Sequence, residues 1–266
     1  MKYTVCKFGG TSLADRGQLE KLLDIVLQNP SRRFIVLSAP GKRDRNDTKV
    51  TDLLIKAITD PRDKTVVDLI KQRYNEIGND VPEVVDEVCQ DLDKRLGEHS
   101  ASNYGDIVQA WGEYAIARVA TAIVQKKGIE ARFMDPMQFG LRILNHNRER
   151  QPDPGCYGTI ENKLLNGNGD VPLTFIPGFY GISQDGLLIT LPRNGSDTSA
   201  AVVARAVNAS VYENWTDEDG LRRADPEIVP DARLIIEITH REVRELASKG
   251  FKLHEDTLIP LIGKNI

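Results

Sequence analysis

The feature that most constrains this chain is its beginning. Residues Tyr3 to Phe8 form a short apolar run that passes directly into Gly9-Gly10-Thr11-Ser12, and a helical pattern starts a few residues later. Glycine lets a backbone turn tightly and approach a ligand with no Cβ in the way. Consecutive N–H groups in such a turn, backed by a helix N-terminus, make a pocket for anions, and Lys7 adds a mobile positive charge at the strand end. Phosphate is the obvious anion. An ordinary strand-to-helix turn, which needs glycine for geometry alone, fits the same residues.

The next segments extend the pattern. Leu19, Leu22, Leu23 and Val26 fall at helical spacing within 15–28, and Asn29-Pro30 ends that helix. Phe34-Ile35-Val36-Leu37 reads as a fully buried strand, followed by a second small-residue turn, Ser38-Ala39-Pro40-Gly41. Strand, helix, strand, each followed by a turn, is the start of a parallel sheet. The charged loop 42–49 reads as a solvated, mobile loop, with closure over a ligand as the alternative. Thr51 or Asp52 is a candidate cap of the helix that follows, or a group facing the cleft above Ser38.

Residues 60–100 read as a helical excursion without chemistry. Pro61 and Pro82 sit at first-turn positions, and Val66, Leu69, Ile70, then Val84, Val85, Val88 and Leu92, form one-sided stripes. A single helix is expected over 104–127, closed by Gly128. It carries Glu113 among apolar neighbours, either as a surface group, which the pattern favours, or as a buried ligand for an ammonium. Residues 137–157 read as irregular. An apolar strand over 172–177, a hairpin around Gln184-Asp185-Gly186, an Ala/Val-rich helix over 198–207 and a strand over 210–213 complete the order. A helix is expected over 239–249, and a last short helical piece after His254.

Composition excludes several classes. A net charge of −4 gives no support for nucleic-acid binding. Cys6, Cys89 and Cys156 are too few and scattered for a disulfide framework or zinc site, which fits a reducing compartment. No apolar run reaches membrane-spanning length, and the N-terminus does not read as a signal peptide, so a cytoplasmic soluble protein is expected.

Three turns after strands carry glycine or small hydroxyl residues: Gly9 to Ser12, Ser38 to Gly41, and Gly195 to Asp197. Ligands of open parallel sheets bind beyond the carboxyl ends of the strands, so these turns are expected to converge. The cleft would hold Lys7, Arg193 and Lys252 as cations and Asp197, Glu113 and Asp217 as anions. Phosphoryl transfer requires such a mixture, because charge spreads over three oxygens that lysine and backbone donors must stabilise. No Walker A pattern, protein-kinase glycine loop, nucleophile elbow or dinucleotide fingerprint is present.

The chain resembles the aspartate kinases of the amino-acid kinase family. The resemblance is carried by Lys7-Phe8-Gly9-Gly10-Thr11-Ser12, Val50-Thr51-Asp52-Leu53-Leu54, Gly112-Glu113, Arg193 to Asp197, Val211 to Gly220, Ala224-Asp225-Pro226 and Leu253-His254. The turn Ser38 to Arg43 and the stretch Tyr212 to Asp217 are similar to a clostridial-type subgroup. The resemblance implies a three-layer α/β/α sandwich with a mainly parallel central sheet. It implies one catalytic domain, with an amino-acid-binding lobe over about 1–190, a nucleotide-binding lobe over about 191–266, and no regulatory ACT domain within this sequence. The family usually continues into a last core strand and paired ACT domains, and this sequence stops about where that strand begins.

The implied activity is transfer of the ATP γ-phosphoryl group to the β-carboxylate of L-aspartate, with Mg2+ on the nucleotide, in a homodimer. By position, Lys7 would stabilise the transferring phosphoryl and Asp197 would orient the lysines. Gly9, Gly10 and Ser12 would bind phosphate. Thr51, Glu113, Arg193 and Ser196 would hold aspartate, and Thr216, Asp217 and Lys252 the nucleotide. Glu113 suits the α-ammonium, and Arg193 suits a carboxylate bidentately. The alternatives are a kinase of another small carboxylate and a non-catalytic amino-acid-binding homologue with an impaired nucleotide site.

The sequence departs from the family pattern at four places. Asn194 replaces a glycine, which asparagine can do because it tolerates positive φ. Leu221-Arg222-Arg223 replaces Val-Tyr-Thr, Glu227 replaces an arginine, and 250–254 is one residue short. A base-stacking tyrosine and a phosphate-facing arginine are thereby lost, with Arg222 or Arg223 as substitutes.

Overall fold

The computed structural model describes residues 2–146, 149–165, 171–217, 219, 220, 222–224, 229, 231–239, 241, 242, 245 and 255–266. In chain order the elements are β1 (Thr4–Phe8), α1 (Arg16–Leu27), β2 (Arg32–Leu37), α2 (Val50–Thr59), α3 (Lys64–Ile77), α4 (Pro82–Gly97), α5 (Tyr104–Gln109), α6 (Trp111–Lys126) and β3 (Ala131–Phe133). They continue as α7 (Pro136–Phe139), β4 (Ile143–His146), β5 (Glu149–Pro152), α8 (Tyr157–Leu165), β6 (Leu173–Pro177), β7 (Tyr180–Ile182), β8 (Leu188–Thr190), α9 (Gly195–Ala206) and β9 (Val211–Trp215). A 3-10 turn follows β1 at Gly10–Leu13, and another spans Glu255–Leu261.

Five strands form one sheet in the order β3-β6-β2-β1-β9, every pair parallel. Parallel strands need both faces covered, which is why β2 and β6 are apolar without alternation. The period of two divides each strand between two cores. Cys6, Phe8, Ile35, Leu37 and Phe175 face a core shared with α1 to α6. Val5, Phe34, Val36 and Ile176 face a second core, shared with α8 and α9. The result is the expected three-layer α/β/α sandwich. Two antiparallel hairpins, β4–β5 and β7–β8, lie outside the sheet.

Local signals explain most boundaries. The Asp15 side chain accepts the Gln18 N–H at 2.9 Å and caps α1. Pro82 opens α4 at its first position, whereas Pro61 lies in the turn before α3 rather than in its first turn. The helix expected over 104–127 is divided at Ala110 into α5 and α6. Residues 143–152, read as irregular, pair as β4 and β5 because backbone bonding there needs no apolar alternation. Thr51 lies inside α2, whose capping residue is Lys49, so neither Thr51 nor Asp52 is the cap.

On α3 the buried stripe is Ile70, Arg73, Tyr74 and Ile77, while Leu69 is 51% exposed. The helix expected over 239–249 falls largely outside the described residues, as do Asp225, Pro226, Leu253 and His254. Cys6, Cys89 and Cys156 are free thiols. Among the described residues no helix is long and apolar enough to cross a membrane.

Candidate active site

The carboxyl ends of β1, β2, β6 and β9 are stitched together just beyond the sheet. Gly9 N–H donates to the Trp215 carbonyl at 3.2 Å, Ser38 N–H to Phe8 at 3.3 Å, and Gly178 N–H to Leu37 at 2.9 Å. The two small-residue turns then meet backbone to backbone. Gly41 N–H donates to the Gly10 carbonyl at 2.7 Å. A Cβ at Gly10 would stand 2.8 Å from the Ala39 oxygen, and one at Gly41 only 2.6 Å from the Gly10 carbonyl carbon. Glycine is required at both positions by close approach.

Lys7, at the end of β1, is 7% exposed. Its Nζ lies 3.0 Å from Asp197 Oδ1, so the strand end and the first turn of α9 meet as an ion pair. Lys7 and Asn214 are register partners on neighbouring strands, and Asn214 Nδ2 donates to the same Asp197 oxygen at 3.0 Å. Asn214 belongs to the stretch Tyr212 to Asp217 but has no role assigned from sequence. Removing one partner would leave the other charge unpaired and partly desolvated.

Helix α9 starts from an unusual residue. Asn194 has φ 64° and ψ 23°, the left-handed region that asparagine tolerates. Its carbonyl accepts the Asp197 N–H at 3.0 Å and the Thr198 N–H at 3.1 Å. Ser196 is buried against Gly178, where a Cβ would stand 2.7 Å from Ser196 Cβ. Arg193, just before this turn, is exposed and makes no ion pair among the described residues.

Glu113 corrects the expectation of a surface group. It is 3% exposed. The surface reading failed because α6 is buried on nearly its whole circumference, so periodicity could not separate its faces. Glu113 Oε1 accepts the Ala39 N–H at 3.0 Å, tying α6 to the second turn. Its other oxygen, Oε2, is buried with no hydrogen-bond partner among the described residues. Burial pushes the carboxyl up to about 8, opposed by the Ala39 N–H. Gly112 permits this approach, since a Cβ there would lie 2.7 Å from Ala39 Cβ. A buried carboxylate with one empty oxygen is suited to a ligand cation.

The glycine turn spends two expected donors internally. Gly9 N–H is held by Trp215, and Ser12 N–H donates to the Gly9 carbonyl at 3.1 Å. Of the donors expected for phosphate, these bonds leave the Gly10 N–H and the Ser12 hydroxyl outside the turn's own hydrogen bonding. Thr51 is half-buried in the first turn of α2, and Thr216 and Asp217 are exposed just after β9. Lys252 lies outside the described residues, as do Leu221, Glu227 and 250–254. Arg222 donates to the Ala232 carbonyl at 2.9 Å and to Asp219 at 3.1 Å, so its guanidinium is engaged locally. The loop 42–49 is anchored rather than mobile, since Asp47 is paired with both Arg43 and Arg73.

The model of the amino acid kinase family matches residues 2–266. The chain belongs to the amino acid kinase family. Among amino acid kinases it is 37% identical to aspartokinase 3 of Bacillus subtilis over 98% of this chain and 59% of that protein. The crystal structure of Clostridium acetobutylicum aspartate kinase superposes with a TM-score of 0.81 at 33% identity, covering 98% of this chain and 57% of that one. Escherichia coli aspartokinase III in complex with aspartate and ADP superposes with a TM-score of 0.86 at 26% identity, covering 99% and 60%. This chain thus spans less than two thirds of the length of each of these three relatives.

Proposed function

We propose that this chain is the phosphoryl-transfer part of an aspartate kinase. It moves the γ-phosphoryl group of ATP to the β-carboxylate of L-aspartate, giving 4-phospho-L-aspartate, the first step toward lysine, threonine and methionine. The observation that carries this reading is the Lys7–Asp197 pair at 3.0 Å where two strand ends and a helix start meet. The named relatives support it, and the unpaired Glu113 oxygen supports an amino-acid acceptor.

In this reading the carboxylate acceptor attacks the γ-phosphorus and ADP leaves, with no covalent bond to the protein. Lys7 neutralises the transferring phosphoryl, and Asp197, with Asn214, holds the ammonium in place. Gly10 and Ser12 bind phosphate beside Gly9. Glu113 Oε2 takes the α-ammonium of aspartate, Arg193 its carboxylate, and Thr51 and Ser196 fix its orientation. Thr216, Asp217 and Lys252 hold the nucleotide. Mg2+, when bound with ATP, would supply further charge neutralisation. The enzyme acts as a homodimer, which light scattering on the purified chain tests.

A coupled ADP-release assay with hydroxylamine trapping of the acyl phosphate tests the reaction. Turnover should require L-aspartate, and Lys7→Met should lower kcat by about 10²–10³-fold with the fold retained. Faster turnover of another small carboxylate would reassign the acceptor. Aspartate binding without ATP binding would make the chain a non-catalytic binding protein.

A further inference from the structure

Helix α3 reaches the candidate site from behind through one side chain. Arg73 is 3% exposed. Its Nη1 donates to the carbonyl oxygens of Gly41 at 3.0 Å and Ala14 at 3.4 Å. Its Nη2 donates to both carboxylate oxygens of Asp47 at 2.7 Å. Each acceptor belongs to a different part of the site's frame. Ala14 closes the glycine turn by donating its N–H to the Thr11 carbonyl. Gly41 closes the second turn and donates to Gly10. Asp47 lies in the segment that delivers the chain to α2, where Val50 N–H donates back to Pro40 at 3.0 Å and Thr51 follows.

The two turns touch through Gly10 and Gly41. Neither residue has a side chain to interlock, so beyond the single Gly41–Gly10 hydrogen bond their mutual position depends on bonds made behind them. A buried ion pair is a poor way merely to fill this space. An apolar side chain on the stripe of Ile70, Tyr74 and Ile77 would avoid its desolvation cost. What an apolar side chain cannot do is hold three acceptors at fixed angles, as a planar guanidinium does.

Given the kinase reading above, we propose that Arg73 is a positioning residue for phosphoryl transfer. It sets the spacing between the glycine turn and the Thr51 end of α2, and Asp47 fixes the orientation of its guanidinium. It touches no substrate. Its signal in the sequence is an arginine at the i+3 place of an apolar stripe.

The test compares wild type with Arg73→Lys, which keeps charge and loses the fork, and Asp47→Asn, the milder change, which keeps shape and loses the counter-charge. Lys71→Ala, which removes an ion pair to Asp93 on α4 and none of the bonds to the turns, is the control. Amide hydrogen exchange at Gly41 and Val50 is read beside ATP- and aspartate-dependent kinetics, below each variant's Tm. Exchange at both amides should accelerate, and kcat should fall about tenfold or more, as a misplaced reacting group requires. The double variant should be no worse than the worse single one, because both changes break one unit. Lys71→Ala should stay within about twofold.

A lowered Tm with kcat of the folded enzyme unchanged would overturn the proposal, leaving Arg73 a packing residue. Unchanged exchange at Gly41 and Val50 would overturn it whatever the activity. Absence of turnover in wild type would remove the kinase reading and this proposal with it, whereas turnover retained by both variants removes this proposal alone.

Discussion

Glu113 is a carboxyl group kept where water cannot serve its second oxygen, and its behaviour with pH follows from that. The folded protein without ligand holds the proton up to about 8, while an unfolded chain releases it near 4.5. Between those values the folded state binds more protons, so this group's contribution to stability is lost as pH rises. The stability advantage of wild type over Glu113→Gln should therefore be largest near 4.5 and shrink toward 8, measured as the difference in Tm. A ligand ammonium beside Oε2 favours the ionised form. The KM for aspartate should fall as pH rises through the same range, and Glu113→Gln should raise KM and flatten the profile. Asn194 is the opposite case, a residue whose conformation was legible in the sequence because asparagine tolerates the left-handed region. Asn194→Gly should be nearly neutral, and Asn194→Ala should cost about 1–2 kcal/mol in urea unfolding. Glu113 was not legible, because an all-round buried helix carries no facing signal. The place of Arg73 on an apolar stripe can be read in the sequence, but its acceptors, like the pairing of Asn214 with Asp197, emerge only when distant strands and helices are brought side by side.

At the scale of elements, the site is made by turns pressed together, and glycine has two meanings in this chain. At Gly41 a Cβ would stand 2.6 Å from the Gly10 carbonyl carbon and 2.8 Å from the Thr11 nitrogen. Gly41→Ala must drive the two turns apart, and it should abolish most turnover while lowering Tm. At Gly97, the last residue of α4, a Cβ would meet nothing within 4 Å. Gly97→Ala should stabilise by about 0.4–1 kcal/mol through the unfolded chain, with kcat unchanged, as denaturation and kinetics would record. Equal effects at both positions would mean that close approach is not what the glycine turns are for. The elements that were legible, β1, β2, β6, α1 and α9, are those with uninterrupted apolar runs or a cap and a clear period. The β4–β5 hairpin was not, because Asn145 pairs with Arg150 and His146 with Glu149, leaving no apolar alternation to read.

At the scale of the whole molecule, the division into an amino-acid lobe and a nucleotide lobe has to be set against a sheet that does not divide. β9, from beyond residue 190, pairs along its full length with β1 at the start of the chain. α9 packs its Ala and Val side chains in the same core as Val5 and Val36. Each central strand supplies alternate side chains to both cores, so neither core can lose its packing while the sheet between them stays intact. Leu23→Ala in the first core and Leu164→Ala in the second remove fully buried side chains on opposite faces. Each should cost about 2–5 kcal/mol. Both should displace one common unfolding transition, followed in parallel by far-UV circular dichroism and by the fluorescence of Trp111 and Trp215. Trp111 is enclosed in the first core, and Trp215 stacks on Phe8 at the end of β1, with ring centroids 5.9 Å apart. Two separated transitions, with Leu164→Ala moving only one of them, would mean that the lobes fold as independent units. The Lys7–Asp197 pair would then be a contact between bodies free to part, and the site would exist only while they are closed.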